Sequence, residues 1–349
     1  MLTSKNKVII YAQDSFSGES AKTGIGFIRY GICETAAIVD RKLAGKSASD
    51  VVNGLPKIPI FESIESAKKN KPDADVLLVG IAPAGGKLPA EWISDIKSAI
   101  NLKLNIVNGL HDFLENISEI KELANRQKVI VWDVRKYKGE LAVANTKVLD
   151  LPMQIVLTVG TDAAVGKMTV SLELAKSARK NNYSAEFVAT GQTGMMISGN
   201  GIPIDAIIGD FMAGAMEQQL LKVSKKKCDF AFVEGQGSIL HPAWSGVTLA
   251  LYHGSLPHKL ILCHRAGNKY LRNTKVEIES LSQFIKVYES VSLPLRKAKV
   301  VGIGLNTHGL TNEQAIDAIK KAEDETGLPA DDVVRNGGEK LFQPCLRSN

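Results

Sequence analysis

Short β-branched and apolar runs alternate along nearly the whole chain with longer segments whose apolar positions recur every three or four residues. Such alternation predicts parallel strands separated by helices, because strands covered on both faces read as unbroken apolar runs. In the first half the strands are expected at Val8–Ala12, Thr35–Val39, Pro59–Phe61, Asp75–Val79, Asn105–Val107 and Lys128–Trp132. Residues 135–151, RKYKGELAVANTKVLDL, break the rhythm and end at Pro152, so they are expected to link two domains. The alternation then restarts, with strands at Gln154–Val159, Ser184–Ala189, Phe230–Val233, Lys259–Cys263 and Val300–Leu305. Helical periodicity covers Lys167–Lys180, Ala213–Lys226, Gly246–Tyr252, Glu277–Val291 and Asn312–Thr326. The expected fold class is α/β: a Rossmann-like domain over residues 1–150, followed by a parallel α/β domain of the P-loop type over 151–349.

Composition narrows the class without changing it. With 349 residues, 44% of them hydrophobic and 23% charged, the chain is of ordinary globular make-up, which excludes collagen-like, disordered and membrane-spanning classes. No apolar run approaches the ~18 residues of a bilayer-spanning helix. The opening MLTSKNKVIIYAQ lacks the long apolar segment of a signal peptide, so a cytoplasmic location is expected. The 43 Lys and Arg against 37 acidic residues give a net charge of +6, spread thinly along the chain. That spread favours small anionic partners and speaks against a nucleic-acid track, which gathers its charge on one face. Cys33, Cys228, Cys263 and Cys345 lie far apart, with no CxxC pair, so no metal site and no disulfide framework is expected.

The chemistry concentrates in the second half. GTDAAVGKMT, residues Gly160, Thr161, Asp162, Ala163, Ala164, Val165, Gly166, Lys167, Met168 and Thr169, stands directly after the strand QIVLTV and directly before a helix. Glycines there let successive backbone N–H groups converge on phosphate oxygens at the helix N-terminus, while Lys167 reaches the outer phosphates. Five residues rather than the usual four separate Gly160 from Gly166, as in dethiobiotin synthetase, whose GTD opening and VGK ending the segment resembles. Where a nucleotide-hydrolysing loop carries the Ser or Thr that holds magnesium, this chain has Met168. Thr169 follows, turned by ~100° on the helix. A diphosphate held without a metal is therefore expected.

Ligands of open α/β sheets bind beyond the strand C-termini, which picks out further candidates. Glu234 ends the strand DFAFVEG and is followed by Gln236, Gly237 and Ser238; it is either a site carboxylate or a loop cap. His241 is either a proton carrier or a structural loop histidine. Gln192 and Thr193, in ATGQTGMMISGNG, are expected beside the phosphate loop. Asp210 either caps the helix that follows or contacts substrate. Arg265 and Asn306 end two further strands, Arg265 being suited to a carboxylate or phosphate. In the first half, the turn QDSFSGESAKTGIG and Asp40 fit a pyrophosphate and a ribose only loosely, since the GxGxxG spacing is absent.

Residues 55–112 resemble the coenzyme-A-binding domain of succinyl-CoA ligase in the order of their elements. Taken together, GTDAAVGKMT, ATGQTGMMISG, GDFMAGAME and EGQGSILHPAWSGVTLALYHG resemble a bacterial family long described as of unknown function and now associated with D-glutamate N-acetyltransferase. The resemblance implies acetyl transfer from acetyl-CoA to the amine of an acidic amino acid such as D-glutamate. Under it, the phosphate loop would hold the diphosphate of coenzyme A, Glu234 would be the first candidate base and His241 the second. Backbone N–H groups near Gly237 would face the oxyanion, and Arg265 would anchor the acidic substrate. Gln192, Thr193, Asp210, Gln236, Ser238 and Asn306 complete the expected substrate contacts. The competing classes are an ATP- and Mg2+-dependent ligase or kinase of the dethiobiotin synthetase type, and a nucleotide sensor. A homo-oligomer is expected from pairing through exposed helices or edges.

Overall fold

The computed structural model describes residues 2–17, 21–81, 83 and 86–347. Part of the Gly- and Ser-rich turn after the first strand, residues 18–20, and residues 82, 84 and 85 of the small-residue loop in 55–112 lie outside the described residues.

The chain divides into two compact units, and both are parallel α/β sheets. The first comprises Met1–Tyr137 and Gln192–Pro203. Its strands are β1 (Lys7–Tyr11), β2 (Glu34–Val39), β3 (Ile60–Phe61), β4 (Val76–Val79), β5 (Asn105–Asn108) and β6 (Val131–Asp133). They lie in the order β3-β2-β1-β4-β5-β6, every pairing parallel. This is the strand order of a dinucleotide-binding fold. Val8–Tyr11 and Val76–Val79 are buried throughout, as strands covered on both faces must be.

The second unit comprises Lys138–Gly191 and Ile204–Asn349. Its strands are β7 (Gln154–Gly160), β8 (Ala185–Val188), β9 (Phe230–Val233), β10 (Lys259–Arg265), β11 (Lys299–Asn306) and β12 (Ala330–Asp331), in the order β12-β11-β10-β7-β9-β8. The order reverses at β7, so a crevice opens beyond its C-terminal end, where the phosphate loop begins. Behind the sheet, Phe230 and Phe232 stack on each other and Phe342 and Tyr183 meet them edge to face, with the helix Lys167–Lys180 packed on the same core. Burying each such ring contributes on the order of 2 kcal/mol.

The chain therefore passes between the units more than once, where the sequence suggested one cut near residue 150. The expected linker is not loose either. The Asn145 N–H donates to the Glu217 carboxylate, 3.1 Å away on the helix Gly209–Ser224, and a short 3-10 helix, Lys147–Asp150, leads into β7. Two further elements differ from the periodic reading. The helix expected from Glu277 starts at Leu281, capped by Ser280, because residues 269–278 fold back as a hairpin. The two-residue β12 is too short to show an alternation. Among the described residues no helix is long and apolar enough to cross a membrane.

Candidate active site at the phosphate loop

The loop leaves β7 at Gly160, whose carbonyl accepts from the Tyr288 hydroxyl at 2.8 Å, and enters the helix Lys167–Lys180 through Gly166. Gly166 has φ +108°, a backbone conformation that a side chain disfavours. Within the loop, the Lys167 ammonium turns inward and donates to the Asp162 carbonyl at 2.7 Å. Burial lowers its pKa to about 8, against the opposing pull of neighbouring Asp162 and Glu234. The helix is pinned from below: Thr158 and Ser171 hydroxyls lie 3.0 Å apart, and the Gly235 N–H donates to Thr158 Oγ1. Gly235 must be glycine, since a Cβ there would come 1.7 Å from the Thr158 carbonyl oxygen.

Glu234 is the second component. It directly follows β9, buried inside the unit at 5% exposed, and its carboxylate accepts from the Thr190 N–H at 3.0 Å and from the Gly191 N–H. Burial pushes its pKa up to about 7, although those two donors and the Lys167 charge pull it down. The result is a carboxyl that changes protonation near neutrality beside a buried lysine. Thr190 Oγ1 donates to the Glu234 carbonyl, and Gln236 Nε2 donates to Thr190 Oγ1, so the bend around Glu234 is fixed.

Asp162 holds the outer wall. Its two oxygens accept the Ala163 and Arg272 backbone N–H groups, both at 2.6 Å. His241 braces the same point: Nδ1 accepts from the Ala243 N–H, which leaves Nε2 protonated to donate to the Arg272 carbonyl at 2.9 Å, with the ring stacked on Trp244. Both nitrogens are thus engaged and the ring is buried.

The other expected residues separate. Gln192 and Thr193 belong to the first unit, where Gln192 accepts from Arg135 and Thr193 Oγ1 lies 2.9 Å from Thr23 Oγ1. The reason is that the helix Gln192–Ser198 buries Met195, Met196 and Ile197 in that unit. Asp210 is exposed in the first turn of its helix, whose cap position is Ile208, so it complements the helix dipole and caps nothing. Arg265 and Asn306 end adjacent strands as paired residues. Arg265 lines a cavity of about 350 Å³ against Asp162, Ala163 and Ala164. Asn306 Oδ1 accepts the His308 N–H. Ser238 is buried beside the Tyr288 hydroxyl, and its own Oγ has no partner in full hydrogen-bond geometry. In the first unit Asp40 is buried and accepts the Phe16 and Lys42 N–H groups, so it closes its own loop. Tyr288 and Arg272 were missed because each acts at long range: one is an ordinary core position of a helix, the other a backbone contact that no side-chain motif announces. Among the described residues no group of three or more His, Cys, Asp or Glu is placed to hold a metal.

A glycine loop between a buried strand and a helix, at the point where strand order reverses, defines a P-loop α/β domain joined to a Rossmann-like one. Comparison with known proteins agrees: residues 142–342 match the DUF1611 P-loop domain and residues 41–137 the DUF1611 Rossmann-like domain, both described as domains of unknown function. The chain belongs to the DUF1611 family. It is 40% identical to a DUF1611 family protein of Anabaena variabilis of known crystal structure, with a TM-score of 0.93 over 98% of this chain and 100% of that one. It is also 35% identical to a D-glutamate N-acetyltransferase of Pseudoalteromonas sp over 83% of this chain and 87% of that one. The protein of the same name from Tritonibacter scottomollicae is 35% identical over 77% and 80%.

Proposed function

We propose that the protein is an N-acetyltransferase that moves an acetyl group from acetyl-CoA to the amine of an acidic amino acid, D-glutamate being the first candidate. The observation that carries this reading is the pairing of a phosphate loop with Met168 after its lysine and a buried carboxyl, Glu234, that titrates near pH 7. The names of the two curated relatives support it. The loop fits a diphosphate. Lys167 already spans it to reach the Asp162 carbonyl, the place an outer phosphate oxygen would take, and Gly160 leaves no Cβ in a space where one would come 2.8 Å from the ammonium.

In the transfer, the amine nitrogen forms a bond to the thioester carbonyl carbon, the carbon–sulfur bond breaks, and the thiol leaves with a proton. The protein has two tasks. Lys167 and the loop N–H groups orient the diphosphate. Glu234, as carboxylate, takes the proton that the attacking ammonium must lose, a contribution of typically 10²- to 10⁴-fold. None of these steps calls on a divalent cation. Cytoplasmic location and assembly as a homo-oligomer belong to the same reading. The test is thiol release from acetyl-CoA with D-glutamate, measured with EDTA and with magnesium, for the wild type and Lys167→Ala. Metal-independent release, weakened at least tenfold in KM for acetyl-CoA by the substitution, is expected. Tight magnesium-dependent ATP binding without thiol release would overturn the reading in favour of a ligase or kinase.

A further inference from the structure

Beyond the loop that would take a diphosphate, the structure carries a second cationic wall. After β10 the chain folds back as a hairpin, with the Leu271 N–H on the Val276 carbonyl, the Ile278 N–H on the Lys269 carbonyl, and Tyr270 bridged to Glu277. The hairpin is clamped to the phosphate loop through the Arg272 peptide. Its N–H donates to the Asp162 carboxylate at 2.6 Å and its carbonyl accepts from His241. Both backbone groups of Arg272 are thus fixed while its guanidinium is exposed, and neither that guanidinium nor the Lys269 ammonium nor Arg265 has an acidic partner within ion-pair distance among the described residues. These three cations surround the cavity of about 350 Å³ whose other wall is Asp162, Ala163 and Ala164. The one carboxylate in that lining, Asp162, accepts one backbone N–H on each of its oxygens.

A loop that holds a diphosphate accounts for Lys167 but not for three further unpaired cations one cavity away. We propose that this cavity is a subsite for a second, separate phosphate: a ribose phosphate monoester on the same nucleotide, as in the 3′-phosphorylated ADP group of coenzyme A. Arg265, Lys269 and Arg272 bind it, and so distinguish that carrier from ADP and ATP, which lack the group. Fixing the Arg272 backbone holds the guanidinium in reach, and charge-assisted contacts to a dianionic phosphate are the strong kind. The inference rests on the acetyl-CoA reading above, but its failure is separable from it.

The test is calorimetry with coenzyme A and with dephospho-coenzyme A, which differ only in that phosphate, at low and at high salt. The wild type is expected to bind coenzyme A at least about tenfold more tightly, with the ratio shrinking as salt screens the exposed cations. The double substitution Lys269→Ala, Arg272→Ala is expected to bring the two affinities within about twofold while leaving that for dephospho-coenzyme A unchanged. Arg272→Gln alone, which keeps the pinned backbone, is expected to lower the ratio part of the way. Equal wild-type affinities, or a ratio that survives the double substitution, would overturn this subsite and leave the transferase reading standing. Binding of neither compound would remove both.

Discussion

Replacing Glu234 with glutamine isolates the protonation of one buried group, because the amide oxygen can still accept from the Thr190 N–H. Burial raises the carboxyl from its ordinary 4.5 to about 7 in the folded protein. Between those values the native state binds a proton that the unfolded chain has lost, so the unfolding free energy falls as pH rises through that window. A displacement of this size corresponds to about 3 kcal/mol. Wild-type protein should therefore lose about that much stability between pH 5 and pH 8, whereas Glu234→Gln, permanently neutral, should not. The two proteins converge near pH 5, and the substituted one is the more stable at pH 8. Urea denaturation at each pH measures the difference. Acetyl transfer moves the opposite way: the wild-type rate rises through a limb near pH 7 as the carboxylate forms, and the substitution removes the limb along with about 10²- to 10⁴-fold of the rate. Stability curves that stay parallel from pH 5 to pH 8 would refute the buried-carboxyl argument, and an unchanged pH–rate profile would refute the base.

Two substitutions probe the scaffold around that group. His241→Ala removes the donor on the Arg272 carbonyl and the Trp244 stacking partner, so it should cost about 2 kcal/mol in denaturation. The same variant should leave the pH limb of transfer where it is; a shifted limb would restore His241 as a proton carrier. Gly235→Ala drives a Cβ into the Thr158 carbonyl and toward the Lys167 chain, and should destabilise by at least about 2 kcal/mol while weakening coenzyme A binding by calorimetry. A fully stable Gly235→Ala protein with wild-type affinity would show that β7 and β9 are not held as tightly as described.

Most of the strand positions were readable because strands buried on both faces leave long apolar runs, as in Val76–Val79 and Phe230–Val233. The phosphate loop was readable because its chemistry is local: glycine, lysine and helix start lie within ten residues. What stayed hidden depends on contacts far apart in the chain. Asp162 and Arg272 are 110 residues apart, and Tyr288 reaches Gly160 across 128. The tautomer of His241 likewise follows only from its two hydrogen-bond partners. The unit to which the helix Gln192–Ser198 belongs was hidden for a similar reason: its polar start follows a strand of the second unit, while Met195, Met196 and Ile197 are buried in the first.

That helix has a bearing on how the gene can be cut or shuffled. A fragment ending at Tyr137 would leave Thr23 and Arg135 without Thr193 and Gln192, and would strip one wall from the Rossmann-like half. A fragment beginning at Lys138 would carry an orphaned amphipathic turn exposing methionines. Neither half is a transplantable module, because each unit is assembled from two separate stretches of chain that would have to be exchanged together.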